Sequence, residues 1–393
     1  MAFNNDPSAK QSTLMRFKCN FRLAAFLLLF MLINFLPVFG DAVEYQTVKG
    51  VVLLVEQVAL EEDPYIDSKY LVKVKLTSGP EKGAVFSFEH IISKSDSFQM
   101  HFKVKDKILV GIVENAEGIR EYYAEDYQRE GSLLWLFLVF VITIVWVGKG
   151  HGLKALATLA FTLIVVFYVL IPLMLKGISP LLATIGVSAI ATTFTLLFLS
   201  GFSKKSLSAI IGTVAGVVVS AVIAYWMGES AYLTGLSNEE AVMLKFIPQG
   251  DIFDPRQLLY AGILLGTLGA AMDVAMSISS AIAEIHYHNP TLYRRKLMKS
   301  GMNVGRDVMG TMVDTLILAY LGTAMPLVLL FVANKMPLVK VLNMDMIATE
   351  IVRSLAGSIG IIASLPLTAA IAVLLHKPAK KQSKALVEQE AVE

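Results

Sequence analysis

Charge is scarce in this chain. Asp, Glu, Lys and Arg make up 17% of its 393 residues, below the quarter usual in soluble domains. Cysteine is scarcer still: Cys19 stands alone, so no internal disulfide can form. It also precedes the first apolar run, too early for a lipoprotein cleavage site. A formal net charge of only +2 provides no global basic field for nucleic acid. The common enzyme signatures are missing as well. There is no Gly-x-x-x-x-Gly-Lys-Ser/Thr phosphate loop, no His-Glu-x-x-His zinc helix and no Gly-x-Ser-x-Gly nucleophile elbow. The glycine-flanked aspartates of intramembrane aspartyl proteases are missing too. These absences set the expectation of a non-enzyme with no cofactor and no metal.

What the chain has in abundance is apolar sequence, 55% of its residues, with a mean hydropathy of +0.63. A run of about 20 such residues, at about 1.5 Å each, crosses the hydrocarbon core of a bilayer. The first run, residues 21–38, follows Arg16 and Lys18 and contains Arg22. It reads either as a signal anchor or as a signal peptide cut near Gly40 or Ala42. Seven more follow: residues 133–147, 153–175, 181–200, 207–227, 258–285, 304–333 and 346–375. Trp135 and Trp146 suit interface anchors for the first of these, and Pro326 and Pro366 are expected to kink the last two.

Between the first run and the rest, residues 41–130 change character. Val, Ile, Tyr and Phe cluster in 45–60, 70–77, 84–91 and 107–113, separated by Gly, Pro, Ser and Asp. Four or five short strands predict a small barrel of OB or SH3 type. Its simplest role is packing or assembly.

The Lys and Arg residues fall on one side of the predicted spans. With a cytoplasmic N-terminus, the inner loops hold Lys149, Lys204, Lys205, Arg294, Arg295, Lys296 and Lys299, and the tail adds Lys377, Lys380, Lys381 and Lys384. The outer loop 228–256 is acidic. That distribution predicts cytoplasmic termini and an extracytoplasmic barrel. The expected layout is a cytoplasmic segment 1–20, an anchor or signal peptide 21–40, the β domain 41–130, a seven-helix membrane domain 131–376 and a disordered tail 377–393.

Against this apolar background, acidic residues stand out. Asp273, Ser277, Ser280 and Glu284 fall at helical offsets 0, 4, 7 and 11. Asn303, Asp307, Gly310 with Thr311, and Asp314 repeat that spacing on the next helix. Glu350, Arg353, Ser354, Gly357 and Ser364 mark the last. An ionised carboxylate at membrane depth costs at least about 2.5–3.5 kcal/mol, so the seams are expected to face inward, toward one another. Gly262, Gly266, Gly269, Gly301, Gly305 and Gly310 are expected to bring the helices close. Asp273, Asp307 and Asp314, with Arg306 as countercharge, then form a candidate proton or ion relay, and the other polar positions support it. A purely structural role for the Ser, Thr and Gly positions is the simpler reading. Glu284, His286 and His288 could ligate a metal, though an interfacial helix end explains them as well.

Residues 260–280, Gly301-Met-Asn-Val-Gly-Arg-Asp-Val-Met-Gly-Thr-Met312, Thr315-Leu-Ile-Leu-Ala-Tyr-Leu-Gly322 and Glu350-Ile-Val-Arg-Ser-Leu-Ala-Gly-Ser-Ile-Gly360 resemble the YibE/F-like family of bacterial membrane proteins. The resemblance covers about residues 133–375. It implies a multi-pass protein of the bacterial cell membrane and favours an anchor at 21–40. The family pattern has Asn where this chain has Asp314, which leaves Asp273 and Asp307 as the principal carriers. A more distant likeness in architecture is to one half of an RND-type permease or a SecD/SecF protein. It implies proton-coupled movement by a homo-oligomer or with a paralogous partner. The leading expectation is an ion-coupled permease or exporter of an unknown small solute. The alternative is a non-transporting assembly or envelope-docking protein.

Overall fold

The computed structural model describes residues 46–58, 65–94, 99–114, 120–247 and 254–376. The predicted segments 1–20, 21–40 and 377–393 lie outside the described residues. The described chain divides into two compact units, with the boundary after Lys149.

The first unit is built on five antiparallel strands: β1 (Gln46–Val58), β2 (Ile66–Leu76), β3 (Val85–Ser93), β4 (Lys107–Glu114) and β5 (Arg120–Tyr127). Their order in the sheet is β3-β2-β1-β4-β5. Strand β1 is long enough to serve two partners, pairing Gly50–Val58 with β2 and Gln46–Val51 with β4. Alternation sets the faces. Val72, Val74 and Leu76 are buried while Lys73 and Lys75 are exposed, and the inward set joins Val48, Val52, Ile108, Val110 and Phe102 in one core.

The expected closed barrel is not formed. Among the described residues, β3 and β5 share no ladder. Side chains bridge the gap instead: Phe86 stacks on Tyr122 at 4.0 Å, and Glu81 accepts from Arg120 at 2.6 Å and from Tyr122 Oη at 2.8 Å. Side-chain contacts rather than a ladder therefore join β3 to β5.

The remaining elements are helical, and the first of these helices begins within the first unit. Helix α1 (Glu130–Val165) passes through a π-helical turn (Val166–Leu170) into α2 (Ile171–Leu175). There follow α3 (Pro180–Ser200), α4 (Lys204–Ser230), the short α5 (Glu239–Met243), α6 (Pro255–His288), α7 (Arg294–Thr323), α8 (Met325–Ala333), the short α9 (Leu338–Leu342) and α10 (Asp345–Leu375). Among the described residues five stretches are long and apolar enough to cross a membrane, and α7 with α8, bent by 61°, makes a sixth if counted as one span. The expected count of seven differs because residues 130–175 form one 46-residue helical stretch. That stretch is broken at Lys149, where φ is 48° and ψ is −127°. The break matches the boundary between two of the apolar runs read from sequence.

Helix ends follow local chemistry. Asp254 caps α6, accepting from Arg256 N at 3.0 Å, with Pro255 in the first turn. The bend between α7 and α8 falls at Ala324, just before Pro326. Pro366, by contrast, sits inside an unbroken α10. The bundle is tightest where α4 crosses α10. A Cβ added to Gly216 would lie 2.8 Å from the Gly360 carbonyl oxygen, and one added to Gly360 would lie 2.8 Å from that of Gly216. Only glycine on both sides lets these backbones approach so closely.

Candidate functional site

Helix α6 packs against α3, α4, α7 and α10. Leu259, Ile263, Leu264, Leu268, Ala271, Val274, Ala275, Ile278 and Ile282 are buried in those contacts. One narrow stripe of the helix stays open. Gly262, Gly266, Gly269, Asp273 and Glu284 are exposed, and Ser277 and Ser280 are half-buried. Their offsets from Gly262 are 0, 4, 7, 11, 15, 18 and 22, one face within about 40° either side at 3.6 residues per turn. The stripe contains only glycine, serine and acids. From Gly262 to Glu284 it runs about 33 Å, close to the thickness of a hydrocarbon core, and Asp273 stands at its midpoint.

Among the described residues, most of the upper half of the stripe is open. A Cβ added at Gly262 or Gly269 would meet no atom within 4 Å. Among the described residues these two glycines therefore mediate no close helix crossing, contrary to expectation. Gly266 differs: its Cβ would lie 2.2 Å from Tyr320 Oη of α7. The Tyr320 ring in turn lies 5.9 Å below the Arg353 guanidinium of α10. Arg353 Nη1 pairs with Glu350 Oε1 at 2.9 Å, one helical turn away. Glu350 Oε2 and Arg353 Nε are both buried without a hydrogen-bond partner. Three helices thus converge on Gly266, Tyr320, Arg353 and Glu350. Tyr320 was not singled out from sequence as a site residue; an aromatic hydroxyl on an apolar run was the available signal.

The three aspartates are not brought together. Helix α7 buries Leu297, Gly301, Gly305 and Leu316. Gly301 meets Ile282, and Gly305 meets Ile278 and Leu365, as close approach at glycine predicts. The opposite face carries Asn303, Asp307, Gly310, Thr311 and Asp314, all exposed, with Arg306 beside them. The inward-facing seam expected from the bilayer is therefore corrected for α7. Its small residues pack inward because they permit contact, and the charged face is left outside. Among the described residues no hydrogen bond or ion pair links Asp273, Asp307, Asp314 and Arg306 with one another. Among the described residues Arg306 Nη1 reaches only Asn303 Oδ1, at 3.5 Å.

The remaining expected positions are structural in their contacts. Ser280 Oγ donates to the Met276 carbonyl, Thr311 Oγ1 to that of Val308 and Ser364 Oγ to that of Ile361. Ser354 is half-buried, and Gly357 packs on Thr267 and Leu316. Glu284 meets His288 at 3.0 Å, while His286 turns to the ring of His376 at 5.1 Å. Among the described residues no three His, Cys, Asp or Glu side chains are placed to hold a metal.

Long apolar helices with a polar stripe define the class first: they support a multi-pass membrane protein. The family model of YibE/F-like protein matches residues 136–378, more than half the chain, and the chain belongs to that family. Comparison with curated proteins and with solved structures gives no match.

Proposed function

We propose that this chain is a proton-coupled permease or exporter of the bacterial cell membrane, with Asp273 as its central carrier. The observation that carries this reading is the stripe on α6. A track without apolar side chains, as long as the bilayer core is thick and holding a carboxylate midway, suits a hydrated ion or proton better than it suits helix packing. Asp273 takes up a proton at one side of its cycle and releases it at the other. Tyr320, Arg353 and Glu350 lie beside the track at Gly266 and offer a polar gate toward the acidic-loop end. Asp307 and Asp314 lie about one turn to either side of Asp273 in depth, because Gly305 contacts Ile278 and Gly266 contacts Tyr320. The Lys and Arg distribution supports a topology with cytoplasmic termini and the sheet outside. The alternative, an assembly or envelope-docking protein, draws on the outward polar face of α7.

The test uses proteoliposomes enclosing a pH-sensitive dye, with an imposed pH gradient. The wild type should dissipate the gradient faster than empty vesicles. Asp273→Asn should slow this at least tenfold, and Gly269→Leu should do the same by filling the track without a clash inside the chain. Wild-type flux through the Asn variant, or no flux above empty vesicles in the wild type, would overturn the proposal.

A further inference from the structure

The α7 seam presents a separate problem, and it does not depend on permease activity. Asn303, Arg306, Asp307, Gly310, Thr311 and Asp314 all lie in the middle of a 30-residue helix, on the side turned away from the bundle. Bare contact with lipid would cost several kcal/mol for the charged groups together. The segment 21–38 is too apolar to answer them, since its polar residues are Arg22 and Asn34. Whatever covers this face must supply charge at mid-depth.

We infer that the α7 seam is the contact surface for a second copy of this chain, related by a two-fold axis along the membrane normal. The face is complementary to itself. At about 100° per residue, Gly310 lies between Arg306 and Asp307 around the helix, about 40° from one and about 60° from the other. A two-fold axis facing Gly310 sets residues on the left of one helix against those on the right of its mate, at equal depth. Arg306 of each copy then meets Asp307 of the other, giving two reciprocal ion pairs astride the Gly310 contact. An added Cβ at Gly310 meets nothing within 4 Å among the described residues, so the position is open for the close approach that such pairs need. Asn303 and Asp314 fall near the same line and offer hydrogen bonds across it.

Disulfide crosslinking in native membranes tests the surface. In a Cys19→Ser background, Gly310→Cys should give a species of twice the monomer mass on mild oxidation. Leu182→Cys, 66% exposed on α3, is the control and should give at least tenfold less. Arg306→Asp should lower the Gly310→Cys crosslink at least tenfold, and Arg306→Asp with Asp307→Arg should restore it. Samples are matched for inserted protein, so poor folding of one variant does not mimic loss of contact. Crosslinking at Gly310→Cys no stronger than at Leu182→Cys would overturn the interface. Failure of the double exchange to restore a lost crosslink would overturn the reciprocal pairing.

Discussion

Helices α6 and α7 carry polar residues at the same helical spacing, yet they use them in opposite ways. Helix α6 is packed on most sides, and among the described residues its polar stripe is left mostly uncovered. Helix α7 packs along one side only, through glycine and leucine, and turns its polar face outward. Sequence periodicity finds both stripes equally well. It does not say which neighbours a stripe meets, because in lipid the buried face of a helix need not be the more apolar one.

The sharpest way to break this comparison lies two residues apart on α7. Gly305→Leu drives a side chain into Ile278 and Leu365, each 3.0 Å from an added Cβ. It should cost about 1–3 kcal/mol, seen as a lower melting temperature in detergent. Asp307→Leu, on the open face, should stay within about 0.5 kcal/mol when measured on the detergent-dispersed monomer. Equal losses for the two would mean that Asp307 supports the bundle from within.

A smaller contrast sits on α6. Gly269→Ala enters open space and should gain up to about 1 kcal/mol from helix propensity. Gly266→Ala gains the same propensity but must displace Tyr320 Oη, 2.2 Å from the new carbon, and with it the ring under Arg353. The two alanines should therefore differ in melting temperature, Gly269→Ala the higher. If both rise together, Tyr320 is not held at Gly266.

Much of this was legible in the sequence. The long apolar helices between 133 and 375, though not their number, the strands between 46 and 127 and the break before Pro326 follow from composition and period. What the residues did not disclose is partnership. Gly262 and Gly301 look alike in sequence, but Ile282 fills the space at Gly301 and nothing among the described residues fills that at Gly262. Barrel closure was illegible for a similar reason. Phe86 and Tyr122 read as ordinary strand residues, and only their stacking shows that side chains rather than a ladder join β3 to β5.

The smallest predicted effect separates the sheet from the bundle by charge rather than packing. Asp126 accepts from Arg129 and, at 2.7 Å, from the Tyr127 amide, and these bonds hold its carboxyl below the usual carboxylate range, the Arg129 contact foremost. A depressed folded-state pKa contributes stability above the unfolded-state value and loses it as pH falls through the folded one. Arg129 is exposed and Asp126 half-exposed, so the effect is modest and screened by salt. Residues 41–130, expressed alone, should melt cooperatively at neutral pH, and Asp126→Asn should lower that melt slightly. The gap between the two should close as pH falls below the folded-state pKa and narrow in high salt. A gap unchanged by acid would trace the loss to packing, and a fragment with no cooperative melt would show that the sheet folds only with the rest of the chain.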